Sequence, residues 1–429
     1  MSCCTCTRCL LAPPVVYRRR EPEKTVLYQA VAEHLPAFLA SAEETDRPVP
    51  KFVRRELEGF LVCGIVEKGA VRVRCPTCGF DRLVACSCKS RSGLCSSCGA
   101  RRMLDVSTHL CTNVIPDVPV RQWVITVPPP VRYLLAYDAE LLAHVVRIFV
   151  HAVFAHLRLV ARRELSVPDG ARIEAGGVCV PQRFNSALGL APHLHALVAD
   201  GVWVQSSPDA QPTFHALPAP SNAELAAVAW SVCERTVKLL KKRGQWVDAD
   251  PGEDRLAQEQ PLLAGLASAS IAGVLCRYLL RPPLSNDRLT RTEEGKYVIK
   301  LKRAWDNGTS AIVVRGEELF GRLALLVPPP RVHTTRYFGV WAPRSNLRRM
   351  VVPTPPETPQ VQSSEGTGDT PHTHRYRLSW AQALAKVFEI DIAVCPRCRQ
   401  RGMQQIAVIH DAGVLRAMLA SMARETEPP

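Results

Sequence analysis

Two Cys-x-x-Cys pairs stand close together in the first quarter of the 429-residue chain. Cys75 and Cys78 form the first pair, and Cys95 and Cys98 form the second after sixteen intervening residues. Each pair places two thiolates on one tight turn, and four thiolates complete the tetrahedral shell of a structural zinc ion. The spacing therefore predicts one structural zinc site built from both pairs.

Other cysteines and many basic residues surround these pairs. Cys63 and Cys88 are candidates to replace one of the four ligands or to serve a second site, and spacing alone does not choose between these roles. Seven Lys or Arg lie between residues 71 and 103, against Asp81 as the one acidic residue. These charges favour contact with DNA over simple compensation of the negative charge of a zinc-thiolate site.

A further pair, Cys395 and Cys398, lies near the end of the chain and supplies half of a metal site. Its partners could be His372 and His374, the cysteines of the first ten residues, or a second subunit. A pair without metal explains the same residues equally well.

His193 and His195 lie two positions apart on a predicted strand. The alternation of side chains along a strand places both imidazoles on one face and Leu194 on the other. Two imidazoles on one face are suitable ligands for a divalent metal, and the side-chain oxygen of Gln182, at the end of the preceding strand, could be a third. The alternative is that both histidines are polar residues with satisfied hydrogen bonds.

A tyrosine on a predicted helix offers a nucleophile for the same site. Tyr278 is flanked by Arg277 and Arg281. A tyrosine directed at a metal-held phosphate can act as a covalent nucleophile, and the metal would stabilise the charge of the transition state. Nearby cations favour the phenolate, because the ordinary pKa of a phenol is about 10.

The rest of the sequence predicts the elements that must position these residues. Alternating and helical hydrophobic patterns follow one another, with proline and glycine signals between them. This succession predicts an α+β fold. Strands are predicted at 121–128, 171–182 and 193–205, a hairpin at 296–303 and 310–315, and helices at 22–42, 52–62, 139–164, 221–244 and 261–280.

Together, these residues resemble the rolling-circle transposases of the insertion-sequence-91 family, including its common-region elements. The resemblance rests on the HLH motif at His193 and His195, the run CRYLLRPPLS around Tyr278, and the later segments LKRAWDNGT, VPPPRVH and RYFGV. It also includes the cysteine-rich region and the CPRC tail, and it covers the chain from about Tyr17.

The resemblance implies an α+β architecture in which a zinc-ribbon-like module precedes an HUH nuclease domain. The central antiparallel sheet of that domain, flanked by helices, would carry His193 and His195, and a small C-terminal tail would follow. The expected divisions are an N-terminal arm and helix (1–50), the zinc-binding DNA-recognition module (51–115), the HUH domain (116–350), a flexible linker (351–375) and the CxxC tail (376–429).

The resemblance also implies the reaction. Tyr278 would cleave single-stranded DNA and form a 5′-phosphotyrosine with a free 3′-hydroxyl, while Mg²⁺ or Mn²⁺ would be held by His193, His195 and Gln182. The covalent link keeps the energy of the phosphodiester, so rejoining needs no ATP, and the sequence has no GxxxxGK[ST] phosphate-binding loop. Strand separation would then fall to a host helicase or to the replication machinery.

Two-tyrosine members of the family carry YxxxY at the nucleophile position, where this chain has Val274 four residues before Tyr278. The chain therefore matches the single-tyrosine members, and a homodimer could supply a second tyrosine. Tyr133 and Tyr137 have the YxxxY spacing, but they precede the histidines, whereas the nucleophile of the family follows them. We interpret this pair as packing or hydrogen-bonding residues.

Composition also points to DNA as the partner. The net charge is +14, and the segment from Arg277 to Arg349 alone has 15 Lys or Arg against 6 Asp or Glu, a surplus of nine. Aromatic residues are interleaved with these cations, as in grooves that bind single strands, and Lys302 and Arg303 are the leading candidates for phosphate contact beside Arg277 and Arg281. A hydrophobic fraction of 47% excludes full disorder.

The expected location follows from what the sequence does not contain. We find no apolar run typical of a membrane span and no secretory signal, so we expect a cytoplasmic, nucleoid-associated protein of bacterial type with no membrane partner. Two alternative functions remain open at this point. One is a zinc-dependent DNA-binding protein without catalysis, and the other is a related rolling-circle replication initiator or relaxase.

Overall fold

The computed structural model describes residues 21–127, 129–246, 284–305, 307–328, 333–352 and 394–424. Within these ranges the helices, numbered α1 to α9, span Val26–Glu44, Lys51–Val62, Ser96–Asn113, Pro129–Tyr137, Ala139–Glu164, Asn222–Lys242, Gly316–Leu326, Arg348–Val351 and Ala412–Arg424. The strands, β1 to β13, span Ala70–Arg74, Asp81–Ala85, Val120–Thr126, Arg172–Glu174, Gly176–Phe184, Leu190–Ala199, Gly201–Gln205, Thr213–Ala216, Leu289–Arg291, Tyr297–Lys300, Ala311–Val314, Arg336–Gly339 and Gln404–Ile409.

The α+β class predicted from the sequence is confirmed. A four-stranded antiparallel sheet in the order β12-β5-β6-β3 forms the centre of the larger part of the molecule. Leu194, Ala196 and Val198 project from β6 into a core shared with α5 and α6. Leu197 and Ala199 project from the opposite face into a second core that includes Leu110 of α3. The central sheet is therefore covered by helices on both faces.

Helix α5 supplies the main layer over this sheet. Asp138 caps its first turn by accepting a hydrogen bond from the backbone N–H of Leu141 at 2.8 Å. Arg162 and Arg163 lie in the last turn, where their positive charges interact favourably with the negative end of the helix dipole. By length and composition, α5 is the one described helix that could cross a membrane, but 56% of the relevant stretch is buried inside the protein. Its apolar face is accounted for by the core, as in the central helix of a globular domain.

Each of the two strands predicted at 171–182 and 193–205 is divided in two. The outer pieces β4 and β7 pair with each other, while β5 and β6 pair in the central sheet. The two paired chain segments therefore continue from one sheet into another. At the bend, a Cβ on Gly201 would lie 2.6 Å from the ring of Phe214 and would overlap the carbonyl of His215. Gly201, which follows Asp200, thus allows a close approach of two strands.

Two smaller sheets complete the described structure. Strands β9, β10 and β11 form an antiparallel sheet whose buried residues share a core with α1, α2 and α7. This sheet contains the hairpin predicted around Asn307-Gly308. Strands β1 and β2 form a second hairpin, and β13 near the C-terminus pairs with β1. The predicted helix at 261–280 and the linker from residue 353 onward lie outside the described residues.

Candidate functional site

Four cysteines converge between α2 and α3. The Sγ atoms of Cys63, Cys88, Cys95 and Cys98 all lie within 4.8 Å of one another, with 3.5 Å between Cys88 and Cys98 and 3.6 Å between Cys63 and Cys95. All except Cys88 are buried. Zinc binds sulfur at about 2.3 Å in a tetrahedron, so sulfurs at this separation fit one ion. We call this group the first cysteine cluster.

Helix termini bring these thiols together. Cys63 follows the last residue of α2, while Cys95 precedes the first residue of α3 and Cys98 lies in its first turn. The positive end of the α3 dipole favours thiolates at Cys95 and Cys98. Hydrogen bonds from the thiols of Cys63 and Cys88 lower the pKa of both cysteines. The deprotonated form that a metal requires is thus favoured at Cys95 and Cys98, while the same contacts raise the pKa of Cys88.

A second cysteine cluster joins distant parts of the chain. Cys75 and Cys78 lie on the turn between β1 and β2, and their Sγ atoms meet those of Cys395 and Cys398, again within 4.8 Å of one another. Cys75 lies 3.6 Å from Cys398, and Cys78 lies 3.5 Å from Cys395. The backbone N–H of Cys78 is the main cause that lowers the pKa of Cys75, to about 6.

The prediction of one zinc site built from both N-terminal pairs is therefore wrong. The structure places Cys75 and Cys78 in one cluster, and Cys95 and Cys98 in the other. The two pairs separate because β2 and the segment after it lead the chain away from the β1–β2 turn before α3 begins. The replacement ligands come from Cys63 and Cys88 for the first cluster, and from the C-terminal pair for the second.

The two histidines lie side by side on β6. Their rings are in edge contact, with centroids 4.9 Å apart. Gln182 of β5 is the direct cross-strand partner of His193, and its Oε1 lies 3.2 Å from His193 Nε2. Nδ1 of His193 donates to the carbonyl of Ala191 at 2.7 Å, which leaves the lone pair on Nε2. The structure thus brings together the three candidate ligands that the sequence proposed.

Both histidines are held in the neutral form. Burial lowers the pKa of His193, and it lowers the pKa of His195 to about 3, with a further contribution from each neighbouring positive charge. The positive charge of Lys302 contributes to both shifts. Neutral imidazole is the form that binds a metal ion, because the ring nitrogen must offer a lone pair.

Gln122 is a site residue that the sequence analysis missed. Its side-chain Nε2 lies 2.7 Å from His195 Nδ1, across the ladder that pairs β3 with β6. A group at Nδ1 fixes the orientation of the ring and thereby the direction of Nε2. The only signal in the sequence was the position of Gln122 on the predicted strand 121–128, and that signal does not specify its partner strand.

The basic candidates are distributed around this region. Lys302 and Arg303 are exposed on the segment between β10 and β11. Arg132, which the sequence analysis did not single out, is buried, donates from Nε to the carbonyl of Val127 at 2.7 Å, and contributes positive charge at His193. The predicted nucleophile Tyr278 and its neighbours Arg277 and Arg281 lie outside the described residues.

The packing part of the interpretation of Tyr133 and Tyr137 is wrong, and the hydrogen-bonding part stays a prediction. Both lie on α4, which packs against β6, but their side chains are 64% and 68% exposed. The buried positions of this helix are Val131, Arg132, Leu135 and Ala136, whereas the two tyrosines point to solvent. Their spacing of four residues places the two rings next to each other on the helix surface.

Comparison with known protein families agrees with this arrangement. Residues 30–127 match the transposase zinc-binding domain of the insertion-sequence-91 type, which includes the whole first cysteine cluster. Residues 176–348 match the Y2_Tnp transposase family, which includes β5, β6 and Lys302. No curated protein and no solved structure matches the chain significantly. The zinc-binding match and the transposase match together support the identification of the chain as an insertion-sequence-91-type transposase.

Proposed function

We propose that this transposase nicks and rejoins single-stranded DNA at the ends of a mobile element through a 5′-phosphotyrosine intermediate. The observation that carries the proposal is the convergence of Gln182, His193 and His195 on one face of the central sheet. This arrangement offers an amide oxygen and two imidazoles to one ion. Transposition with DNA as the partner follows from the family; the rolling-circle chemistry is our inference.

The donor set fits a divalent ion. His193 Nε2 and Gln182 Oε1 are 3.2 Å apart, a separation that suits two neighbouring ligands of one ion. The structure places Gln122 Nε2 beside His195 Nδ1. His195 would complete the set once the amide is flipped, because the amide oxygen then accepts from Nδ1–H and the ring Nε2 carries the lone pair. Bound there, Mg²⁺ or Mn²⁺ would polarise the scissile phosphate and stabilise the charge of the transition state.

Tyr278 is the proposed nucleophile. Its phenolate oxygen attacks the phosphorus, the bond to the 3′-oxygen breaks, and that oxygen takes a proton and leaves as a 3′-hydroxyl. The phosphate stays on the 5′ end of the other fragment, joined to Tyr278. Attack of a 3′-hydroxyl on the phosphotyrosine reverses the step without ATP. Arg277 and Arg281 would favour the phenolate and hold the phosphate.

The substrate is proposed to be a single strand. Phosphates would contact Lys302 and Arg303, because Lys302 is exposed and its charge reaches both histidines. Exposed aromatic rings beside a basic groove bind unpaired bases by stacking. Tyr133 and Tyr137 offer such rings on a helix that contacts the histidine-bearing strand. The +14 net charge supports electrostatic attraction of the strand.

The zinc-binding module would recognise DNA near the element ends. Structural zinc in this module is supported by the family match and by the first cysteine cluster. A host helicase or the replication machinery would separate the strands, and a homodimer would supply a second Tyr278. We place the protein in the cytoplasm, associated with the nucleoid, and assign residues 116–350 to the nuclease domain.

A covalent-trapping experiment tests the proposal. The full chain is incubated with single-stranded DNA spanning the ends of its element and with Mg²⁺ or Mn²⁺, beside Tyr278→Phe and the double variant Tyr133→Phe/Tyr137→Phe. We expect an adduct on Tyr278 that the first variant and a chelator abolish and the second variant retains. Tight binding without any adduct would instead favour a zinc-dependent DNA-binding protein. An adduct formed only on a replication origin would favour an initiator or relaxase.

A further inference from the structure

The second cysteine cluster lies partly outside the zinc-binding family match, which ends at residue 127. We propose that Cys75, Cys78, Cys395 and Cys398 hold a second structural zinc ion, which fastens the C-terminal segment to the β1–β2 hairpin. Through this ion, the last part of the chain becomes a component of the zinc-binding module rather than an independent tail.

The two halves of the cluster have the same backbone geometry. The N–H of Cys75 donates to the carbonyl of Phe80 at 2.8 Å, and the N–H of Cys395 donates to the carbonyl of Gln400 at 2.9 Å. In each turn, the residue four positions after the first cysteine donates back to it, over 3.0 Å from Gly79 and 2.9 Å from Arg399. Both donors adopt positive φ, +72° and +63°. Two equivalent turns thus present two thiols each to a common point.

The spacing of the sulfurs fits zinc. A tetrahedral shell with zinc–sulfur bonds of about 2.3 Å places neighbouring sulfurs about 3.8 Å apart. The two measured contacts between the turns are 3.5 and 3.6 Å, and all four sulfurs lie within 4.8 Å of one another. A disulfide would need sulfurs at about 2.05 Å. Cys75 and Cys395 are buried, so the centre of the cluster is shielded from water.

The C-terminal segment has little else to hold it. Its strand β13 pairs with β1, but most side chains of β13 are exposed. The core beneath it contains only four buried residues in the described structure: Val66, Ala70, Leu83 and, from α9, Leu415. A core of this size rarely supports a fold without a metal or a disulfide. A zinc ion bridging residues 317 positions apart would supply the missing stability.

The attachment also extends a basic surface. Arg397, Arg399 and Arg401 are exposed around the C-terminal turn, and Arg74 is exposed at the end of β1. The zinc-held contact therefore places three arginines beside the basic residues of the β1–β2 hairpin. Held together in this way, the arginines can contact DNA phosphates as one surface instead of as two independent segments.

Native mass spectrometry of the full chain tests the proposal by counting zinc. We expect two zinc ions in the wild-type protein, one in Cys395→Ser/Cys398→Ser, and two in Cys86→Ser. Cys86 is a suitable control because it lies on the same hairpin outside both clusters. Hydrogen exchange should show loss of protection of the β1 amides in the double variant alone. Since Cys398→His keeps a ligand, it should retain two ions where Cys398→Ser retains one, which guards against a general folding defect.

Three results would overturn the proposal. The first is two zinc ions in Cys395→Ser/Cys398→Ser, and the second is a single ion in the wild-type protein that the variant also retains. The third is iron instead of zinc in the purified protein by elemental analysis. None of these readouts depends on DNA cleavage, so failure of the nuclease assay would leave this test intact.

Discussion

Gln182 Oε1 lies 3.2 Å from His193 Nε2 across the ladder that pairs β5 with β6. The register of these strands, rather than the sequence distance of eleven residues, brings the amide to the imidazole. Strand β3 pairs with the other edge of β6, and the amide of its Gln122 contacts His195 Nδ1. Two neighbouring strands therefore each contribute one glutamine to one histidine of the pair.

Gln122 is expected to act as a positioning residue for His195. Because partners of this kind fix the ring of a metal ligand, Gln122→Ala should weaken Mn²⁺ binding by about 10- to 100-fold. Cleavage should fall at low Mn²⁺ and recover at high Mn²⁺, which titration with each variant would measure. Gln122→Glu keeps an acceptor for Nδ1–H and serves as the conservative control. Equal Mn²⁺ affinity in Gln122→Ala and wild type would contradict this role.

The buried histidines should make the protein sensitive to mild acid. Burial lowers the pKa of His195 to about 3, whereas the unfolded chain binds this proton below about 6.5. Protons therefore favour the unfolded state, and stability present at neutral pH is lost as the pH falls below 6.5. Between pH 7 and pH 5 the loss from His195 alone is about 2 kcal/mol.

Urea unfolding at both pH values, without Mg²⁺ or Mn²⁺, measures this effect. His195→Gln removes the titrating group but leaves both cysteine clusters, so acid release of zinc affects both proteins equally. The wild-type protein should lose more stability than the variant. An identical loss in the two proteins would show that His195 titrates normally in the folded state.

Tyr133 and Tyr137 should contribute to affinity for unpaired DNA. Stacking of a base on an aromatic ring is worth about 1–3 kcal/mol. Tyr133→Ala/Tyr137→Ala should therefore weaken binding to a single strand at least several-fold, as fluorescence anisotropy would show, with little change in folding stability. Trp230→Ala is a matched control, because Trp230 is 72% exposed on α6. If both variants bind alike, the tyrosines do not contact the strand.

Lys302 and Arg303 are expected to contact phosphates. Each contact with a single strand contributes about 0.7 to the slope of log K against log salt. The variant Lys302→Ala/Arg303→Ala should reduce that slope by about 1.4 if both contacts are lost. Lys238→Ala is a control that removes one positive charge elsewhere, since Lys238 is exposed on α6 and pairs with Glu234. A slope unchanged from wild type would show that Lys302 and Arg303 do not contact the DNA phosphates.

Cys63 is expected to be as important for zinc as the cysteines of the nearby pair. Cys63→Ser should abolish the zinc of the first cluster to the same extent as Cys95→Ser, because the Sγ atoms of these residues lie 3.6 Å apart in one shell. Zinc content and thermal unfolding measure the result. Cys233→Ser, at an exposed cysteine outside both clusters, should match wild type. Full zinc content in Cys63→Ser would show that Cys63 is not a zinc ligand.

Local patterns predicted the elements and the local arrangement of their metal-binding side chains. The helix at 139–164 was placed correctly because its apolar face repeats along its whole length. His193 and His195 were placed on one face because strand alternation has a period of two residues. The paired cysteines predicted metal-binding turns, since the residues of each turn are neighbours in the sequence.

Partners that are distant in the sequence were decided only by the tertiary structure. Spacing could not show that Cys63 belongs with Cys95, or that Cys395 meets Cys78, because each contact depends on how separate elements pack. Strand register likewise assigned Gln122 to His195, and the packing of α4 through Val131 and Leu135 left Tyr133 and Tyr137 in solvent. The sequence determined which groups are present and how they turn locally; long-range packing determined which of them share a site.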